Sequence, residues 1–143
     1  MKPVFAVMQL NIDRECSASA DEVWRLVSQV ENLPKYWHGT RELKVVKKGS
    51  EYNGEVKFAF GGRGRIKVKL DESKRKVIIE YLDGAFTGSQ IISVNKGGLS
   101  ATWDIHFRGI FKVFGKVNAD HFASGTSNAL ARICEEAMKP ENP

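Results

Sequence analysis

Apolar and polar residues alternate with a period of two along most of this chain. The clearest run is residues 99–107, LSATWDIHF. Leu99, Ala101, Trp103, Ile105 and Phe107 fall on one side, and Ser100, Thr102, Asp104 and His106 on the other. Such alternation predicts a strand with one face buried and one wet. The same period marks a first strand over about Pro3 to Cys16, where Met8, Leu10 and Ile12 alternate with polar neighbours. Five more follow: RELKVVKK (41–48), EVKFAF (55–60), RIKVKL (65–70), VIIEYL (77–82) and FTGSQIISV (86–94). In these, Val56, Phe58 and Phe60 share a face, as do Ile66, Val68 and Leu70, and Val77, Ile79 and Tyr81. Short turn signals separate the strands, among them Asp83-Gly84 and the stretch NKGG at 95–98. Consecutive strands joined this tightly form an antiparallel meander.

Three segments switch to the helical period. SADEVWRLVSQV opens with Ser19 and Glu22 three residues apart, a capping box, and places Val23, Val27 and Val30 on one face. ENLPKYWHG is a shorter helix or helical turn, with Pro34 suited to its first turn and Gly39 to its stop. From about Lys116 to Met138 no proline interrupts, and Phe122, Ala129, Ile133 and Ala137 recur at helical spacing. The order is strand, helix, helix, six strands, long helix. The predicted class is α+β, a seven-stranded antiparallel sheet gripping the C-terminal helix, with two short helices closing one end. A long helix must cover the apolar face of such a sheet. The space between a curved sheet and one helix suits a small-molecule site.

Composition narrows this little. The 143 residues suit one domain with a core of its own, and 42% hydrophobic with 27% charged is ordinary for a soluble protein. Twenty-two Lys and Arg against 17 Asp and Glu give a net charge of +5, which permits anionic partners without requiring them. The apolar stretch near the N-terminus turns polar by Asn11 and lacks the pattern of a signal peptide, and no run reaches membrane-spanning length. Cys16 and Cys134 lack metal-type spacing and are read as two free thiols of a reducing compartment, hence a cytoplasmic protein without stable membrane insertion.

Candidate chemistry is sparse. His38, His106 and His121 form no His-x-x-x-His or Glu-x-x-His pattern, so no metal and no cofactor is expected. No Gly-x-Ser-x-Gly nucleophile elbow occurs. His106 belongs to the outer face of its strand. His121 lies in the first half of the long helix and His38 beside a loop, so either can be a cavity acid or base or a solvated residue. Lys57, Arg65, Lys67 and Lys69 make one sheet face basic, but acidic residues dilute it and no aromatics interleave, so no specific nucleic-acid partner is expected. The glycine-arginine run at 61–64, GGRG, leads from strand to strand rather than from strand into helix. It therefore reads as a hairpin turn, not a phosphate cradle.

The element order, with ASADEVWRLVSQVENLPKYW near its start, GLSATWDIHFRGI as its last strand and FKVFGK before the terminal helix, resembles the START / polyketide cyclase-dehydrase (SRPBCC, helix-grip) superfamily over nearly the whole chain. The resemblance implies one domain, 1–143, with an internal cavity for a lipid-like, polyketide-like or other amphipathic small molecule. It implies no single chemistry, because members include carriers, sensors, cyclases and subunits of larger assemblies. Residues on inward phases or near the implied mouth become candidate ligand contacts: Tyr36, Trp37, Phe58, Phe60, Tyr81, Phe86, Gln90, Trp103, Phe107, Phe114, His121 and Phe122. Arg63, in the glycine lip, is a candidate for an anionic headgroup. Asn118, Thr126 and Asn128 on the terminal helix are further polar candidates. A carrier or sensor, as a monomer or weak homodimer, is the first expectation. The alternatives are a cyclase or dehydrase using His121, His38 or Tyr81 as acid or base, and an accessory protein docking on a larger partner.

Overall fold

In the computed structural model, which describes residues 7–109 and 115–139, with side chains from Ala119 onward in the second stretch, the alternating segments pair into one sheet. The strands are β1 (Val7–Glu15), β2 (Thr40–Lys48), β3 (Glu51–Phe58), β4 (Arg63–Asp71), β5 (Lys76–Tyr81), β6 (Phe86–Asn95) and β7 (Gly98–Phe107). All neighbours are antiparallel, in the order β1-β7-β6-β5-β4-β3-β2. The curved sheet is thus a meander from β2 to β7, with β1 added beside the last strand. The period of two becomes burial directly. Leu99, Ala101, Trp103, Ile105 and Phe107 are buried, whereas Thr102, Asp104 and His106 are exposed.

Helix α1 (Ala20–Val27) follows β1. Its Ser19 hydroxyl accepts the Glu22 amide at 3.1 Å, as the capping box requires, and Val23, Leu26 and Val27 turn inward. The next segment, Val30–Lys35, is a 3-10 helix. The terminal helix α2 (Gly115–Met138) packs against β1, β7 and α1. Ala129, Leu130 and Ile133 are fully buried there and complete the core against the inner face of the sheet.

One sequence expectation is overturned: Cys16 and Cys134 are joined in a disulfide, with Cα atoms 5.8 Å apart. Sequence spacing hid this because 118 residues separate them. Only the return of α2 across β1 brings the end of the first strand beside the end of the last helix, within bridging distance.

The glycine-arginine run is a turn, as read from its setting between strands. Gly61 has φ +100°, a conformation that favours glycine. Gly64 has a different reason to be glycine. A Cβ there would lie 2.1 Å from the Asp83 carbonyl oxygen, so the close passage of β4 by the β5–β6 turn demands the missing side chain. β4 also begins earlier than expected, at Arg63, which shares an outward phase with Arg65.

Candidate functional site

In a meander, alternate connections share one end of the sheet. Here the β3–β4 turn, the β5–β6 turn and the start of β2 come together at one end. The Ala59 amide donates to the Gly39 carbonyl at 2.8 Å, and the Leu82 amide to that of Arg65 at 2.9 Å. The opposite end carries Cys16, whose amide donates to the Gly97 carbonyl at 2.9 Å. Helix α2 runs from the first end, where His121 and Phe122 lie, to the second, where Cys134 is bonded.

At the first end the helix does not seal the sheet. A cavity of about 80 Å³ is walled by Trp37, Gly39 and Thr40 from the segment into β2, by Phe58 and Phe60 of the β3–β4 hairpin, and by Trp103 of β7. His121, Phe122, Gly125 and Thr126 of α2 form its roof. The walls are chiefly aromatic because β3 and β7 turn rings inward at this level. Trp103 meets Phe122 edge-on at 4.8 Å between centroids, and Phe58 stacks on Phe60 at 5.1 Å. Phe86 links Phe58 (4.9 Å) to Phe107 (5.9 Å), and Tyr81 stacks on Trp103 at 5.8 Å. Edge-to-face and offset are the arrangements that aromatic pairs prefer.

Polar atoms inside are few. Thr126, fully buried on α2, accepts the Trp103 indole N–H at 2.9 Å. The buried Tyr81 hydroxyl donates to Gln90 Oε1 at 3.2 Å. Burial holds the Tyr81 phenol far above its ordinary pKa, so it remains protonated. Trp37 Nε1 and Gln90 Nε2 are buried without an acceptor among the described residues. Outside the cavity, Tyr36 is clamped to α2. Its hydroxyl donates to Glu136, Lys35 Nζ lies 2.6 Å from the same carboxylate, and Arg132 donates to the Tyr36 carbonyl at 2.8 Å. Burial first, then the Glu136 hydrogen bond, push the Tyr36 phenol up, so it is the donor in this pair.

Of the candidate contacts, Trp37, Phe58, Phe60, Trp103, His121 and Phe122 line the cavity. Tyr81, Phe86, Gln90 and Phe107 are buried behind that lining. Tyr36 is buried beside α2, in the clamp just described. Phe60 lies beyond the end of β3 and is 46% exposed, so it is a rim residue rather than a core one. Phe114 lies outside the described residues, as does the side chain of Asn118. His38 is exposed, with Nε2 3.2 Å from the Lys35 carbonyl, and does not line the cavity. Arg63 does not border it either. It stands on the outer face, in a depression shared with Lys57, Arg65 and Asp83, because the early start of β4 sets its phase outward. Asn128 is exposed. Gly125 escaped the sequence reading. Gly125 carried a signal, since a glycine inside a helix is unfavourable unless something needs the space. Here a Cβ at Gly125 would meet nothing within 4 Å.

Among the described residues no three His, Cys, Asp or Glu side chains gather as a metal site, and no helix is long and apolar enough to cross a membrane.

The family described as polyketide cyclase / dehydrase and lipid transport matches this chain over residues 9–139. No curated protein matches it by sequence. Solved structures do match in shape. An aromatase/cyclase, Zhui, from Streptomyces sp. R1128 superposes with a TM-score of 0.70 at 13% identity, over 92% of this chain and 93% of that one. A STAR-related lipid transfer protein from Xanthomonas axonopodis gives 0.62 at 9% identity, over 92% and 86%. A START superfamily protein from Mycobacterium smegmatis gives 0.58 at 14%, over 89% and 98%. At these identities the likeness is one of fold.

Proposed function

The chain belongs to the polyketide cyclase / dehydrase and lipid transport family, and on that premise we propose that it binds a hydrophobic or amphipathic small molecule between sheet and helix, as a carrier or sensor built from a single domain. The observation that carries this reading is the aromatic-walled cavity under the first turns of α2. Protein cores are ordinarily close-packed, and concave apolar sites with a few polar groups are the usual form of small-molecule sites. The family includes both lipid transport and cyclisation in its description, so the cavity's own chemistry has to choose between them. Among the described lining residues, His121 is the sole ordinary acid or base. Tyr81 is held protonated with its hydroxyl on Gln90, and His38 faces away. General acid–base chemistry needs groups converging within hydrogen-bond reach of one reacting centre. A cyclase or dehydrase acting through His121 is therefore the second reading.

Native mass spectrometry of freshly purified protein tests the first. We expect a bound apolar molecule, lost on denaturation. Protein at bare chain mass that also fails to take up the neutral probe N-phenyl-1-naphthylamine would sink the reading. Turnover abolished by His121→Ala would favour the enzyme instead.

The Cys16–Cys134 bond weighs against a cytoplasmic location, since disulfides persist mainly in oxidising compartments. Because both cysteines are buried, alkylation in denaturant at cell lysis decides: two reactive thiols support the cytoplasm, and none removes it.

A further inference from the structure

Three tryptophans offer three indole donors, and two of them are satisfied in plain ways. Trp24 donates to Glu72 at 2.7 Å and Trp103 to Thr126 at 2.9 Å. Trp37 is the exception. It is 7% exposed, it forms a wall of the cavity, and its Nε1 meets no acceptor among the described residues. The second orphan is of the same kind. Gln90 spends its oxygen on the Tyr81 hydroxyl and leaves its amide N–H groups without an acceptor, 3% exposed and directly across the β6–β7 ladder from the cavity wall Trp103. Buried polar groups are ordinarily paired with protein or with ordered water, so an unpaired one in a cavity wall marks where a water or a ligand atom can sit. Both orphans are donors. The missing partner is therefore an acceptor.

Its charge is limited by what surrounds it. No Lys or Arg is among the described lining residues, so a carboxylate or phosphate there would lose its hydration with no more than the His121 imidazole to offset its charge. A neutral oxygen on an apolar body meets both conditions. Size adds a second constraint. About 80 Å³ has room for a few water molecules but falls short of the ~150 Å³ that accommodates benzene in a protein core. A ligand of one or more rings must displace part of the wall, and the half-exposed Phe60 stands at that rim.

We propose that the cavity takes an uncharged, largely apolar molecule bearing a carbonyl or ether oxygen, and that the Trp37 indole N–H is the donor that reads this oxygen. This rests on the small-molecule reading above and adds to it a requirement for an acceptor. Gln90, buried behind Trp103, does not border the cavity and takes no part in this contact.

A matched pair of probes tests it on the intact chain. 2-Acetonaphthone and 2-ethylnaphthalene have nearly the same shape and differ by one carbonyl oxygen. The native protein should bind the ketone about tenfold more tightly, the ordinary net yield of one buried hydrogen bond. In Trp37→Phe the preference should shrink below about twofold, whatever change in overall affinity the smaller ring in the cavity wall brings. A ¹H–¹⁵N spectrum of the native protein gives a readout independent of whether that variant folds. Both probes should shift Trp37's indole signal through their aromatic rings, but the ketone should carry its proton further downfield than the hydrocarbon does, the excess being the mark of the hydrogen bond. Equal affinities for the two probes, or an indole proton carried no further downfield by the ketone than by the hydrocarbon, would overturn the proposal while leaving an apolar binding site standing. If neither probe binds, the small-molecule reading fails and the proposal goes with it.

Discussion

The two halves of the sheet's inner face are filled by different kinds of side chain. Toward the β6–β7 turn, Val94, Leu99 and Ala101 lie with Leu130 and Ile133 of α2 in the buried core, and the Cys16–Cys134 bond fixes the helix there. Toward the β3–β4 turn the inward positions are Trp103, Phe58 and Phe107, the helix offers Phe122, Gly125 and Thr126, and a gap remains. Branched aliphatic groups interdigitate to high density. Rigid rings held edge-on, beside a residue without a side chain, do not close the space. The same strands thus build a packed end and an open end, and the open end holds the unpaired donors.

The comparison can be broken hardest at the staple. Reducing the Cys16–Cys134 bond, or replacing Cys134 with Ser, should cost about 2–5 kcal/mol. That corresponds to a drop of roughly 5–15 °C in melting temperature. Unchanged melting with and without reductant would show that packing alone fixes the closed end. Next comes a pair of truncations. Leu130→Ala, at a fully buried site, should lose about 3 kcal/mol, whereas Phe60→Ala, at the half-exposed rim, should lose under ~1 kcal/mol. Chemical denaturation of both variants measures the contrast, and similar losses would erase the distinction between the ends.

Gly125 sharpens it further. Because nothing lies within 4 Å of a Cβ there, Gly125→Ala should stabilise the protein by up to about 1 kcal/mol through helix propensity. Gly125→Leu should fill the gap and abolish uptake of N-phenyl-1-naphthylamine while the fold survives. Retained uptake would place binding elsewhere. The smallest effect is at the clamp on Tyr36. Lys35 first, then Tyr36, hold the Glu136 carboxyl below the usual carboxylate range. A carboxylate with a depressed folded pKa stabilises above its unfolded value, and the contribution is lost as pH falls through the folded one. The melting temperature of native protein should therefore exceed that of Glu136→Gln at neutral pH, and the difference should fade in acid. A gap that persists in acid would rule out the ion pair as its source.

The fold was legible because alternation is a local signal that burial enforces over the whole sheet. Leu99–Phe107 names its inner face residue by residue, and Ser19 with Glu22 marks the start of α1. The cavity lining was legible where it borrowed that pattern, at Phe58 and Trp103. The structure differs where two residues of strand extension set a side chain's phase: Arg63 reads as turn, but as the first residue of β4 it faces outward. Phe60 shows the converse, since it reads as strand and stands past the end of β3, yet it still stacks on Phe58. Trp37's missing acceptor and the cysteine pairing had no local signature at all, because both depend on which distant elements the chain brings together.

That pairing has a topological consequence. Cys16 and Cys134 close a covalent ring that contains α1, strands β2 to β7 and most of α2. A single cut by a protease at the β3–β4 turn, beside the cavity, therefore releases no fragment. The nicked chain migrates as one species without reductant and as two with it. Its two pieces stay tethered at the end of the sheet farthest from the cut, so cleavage at the lip opens the pocket without dismantling the molecule that carries it.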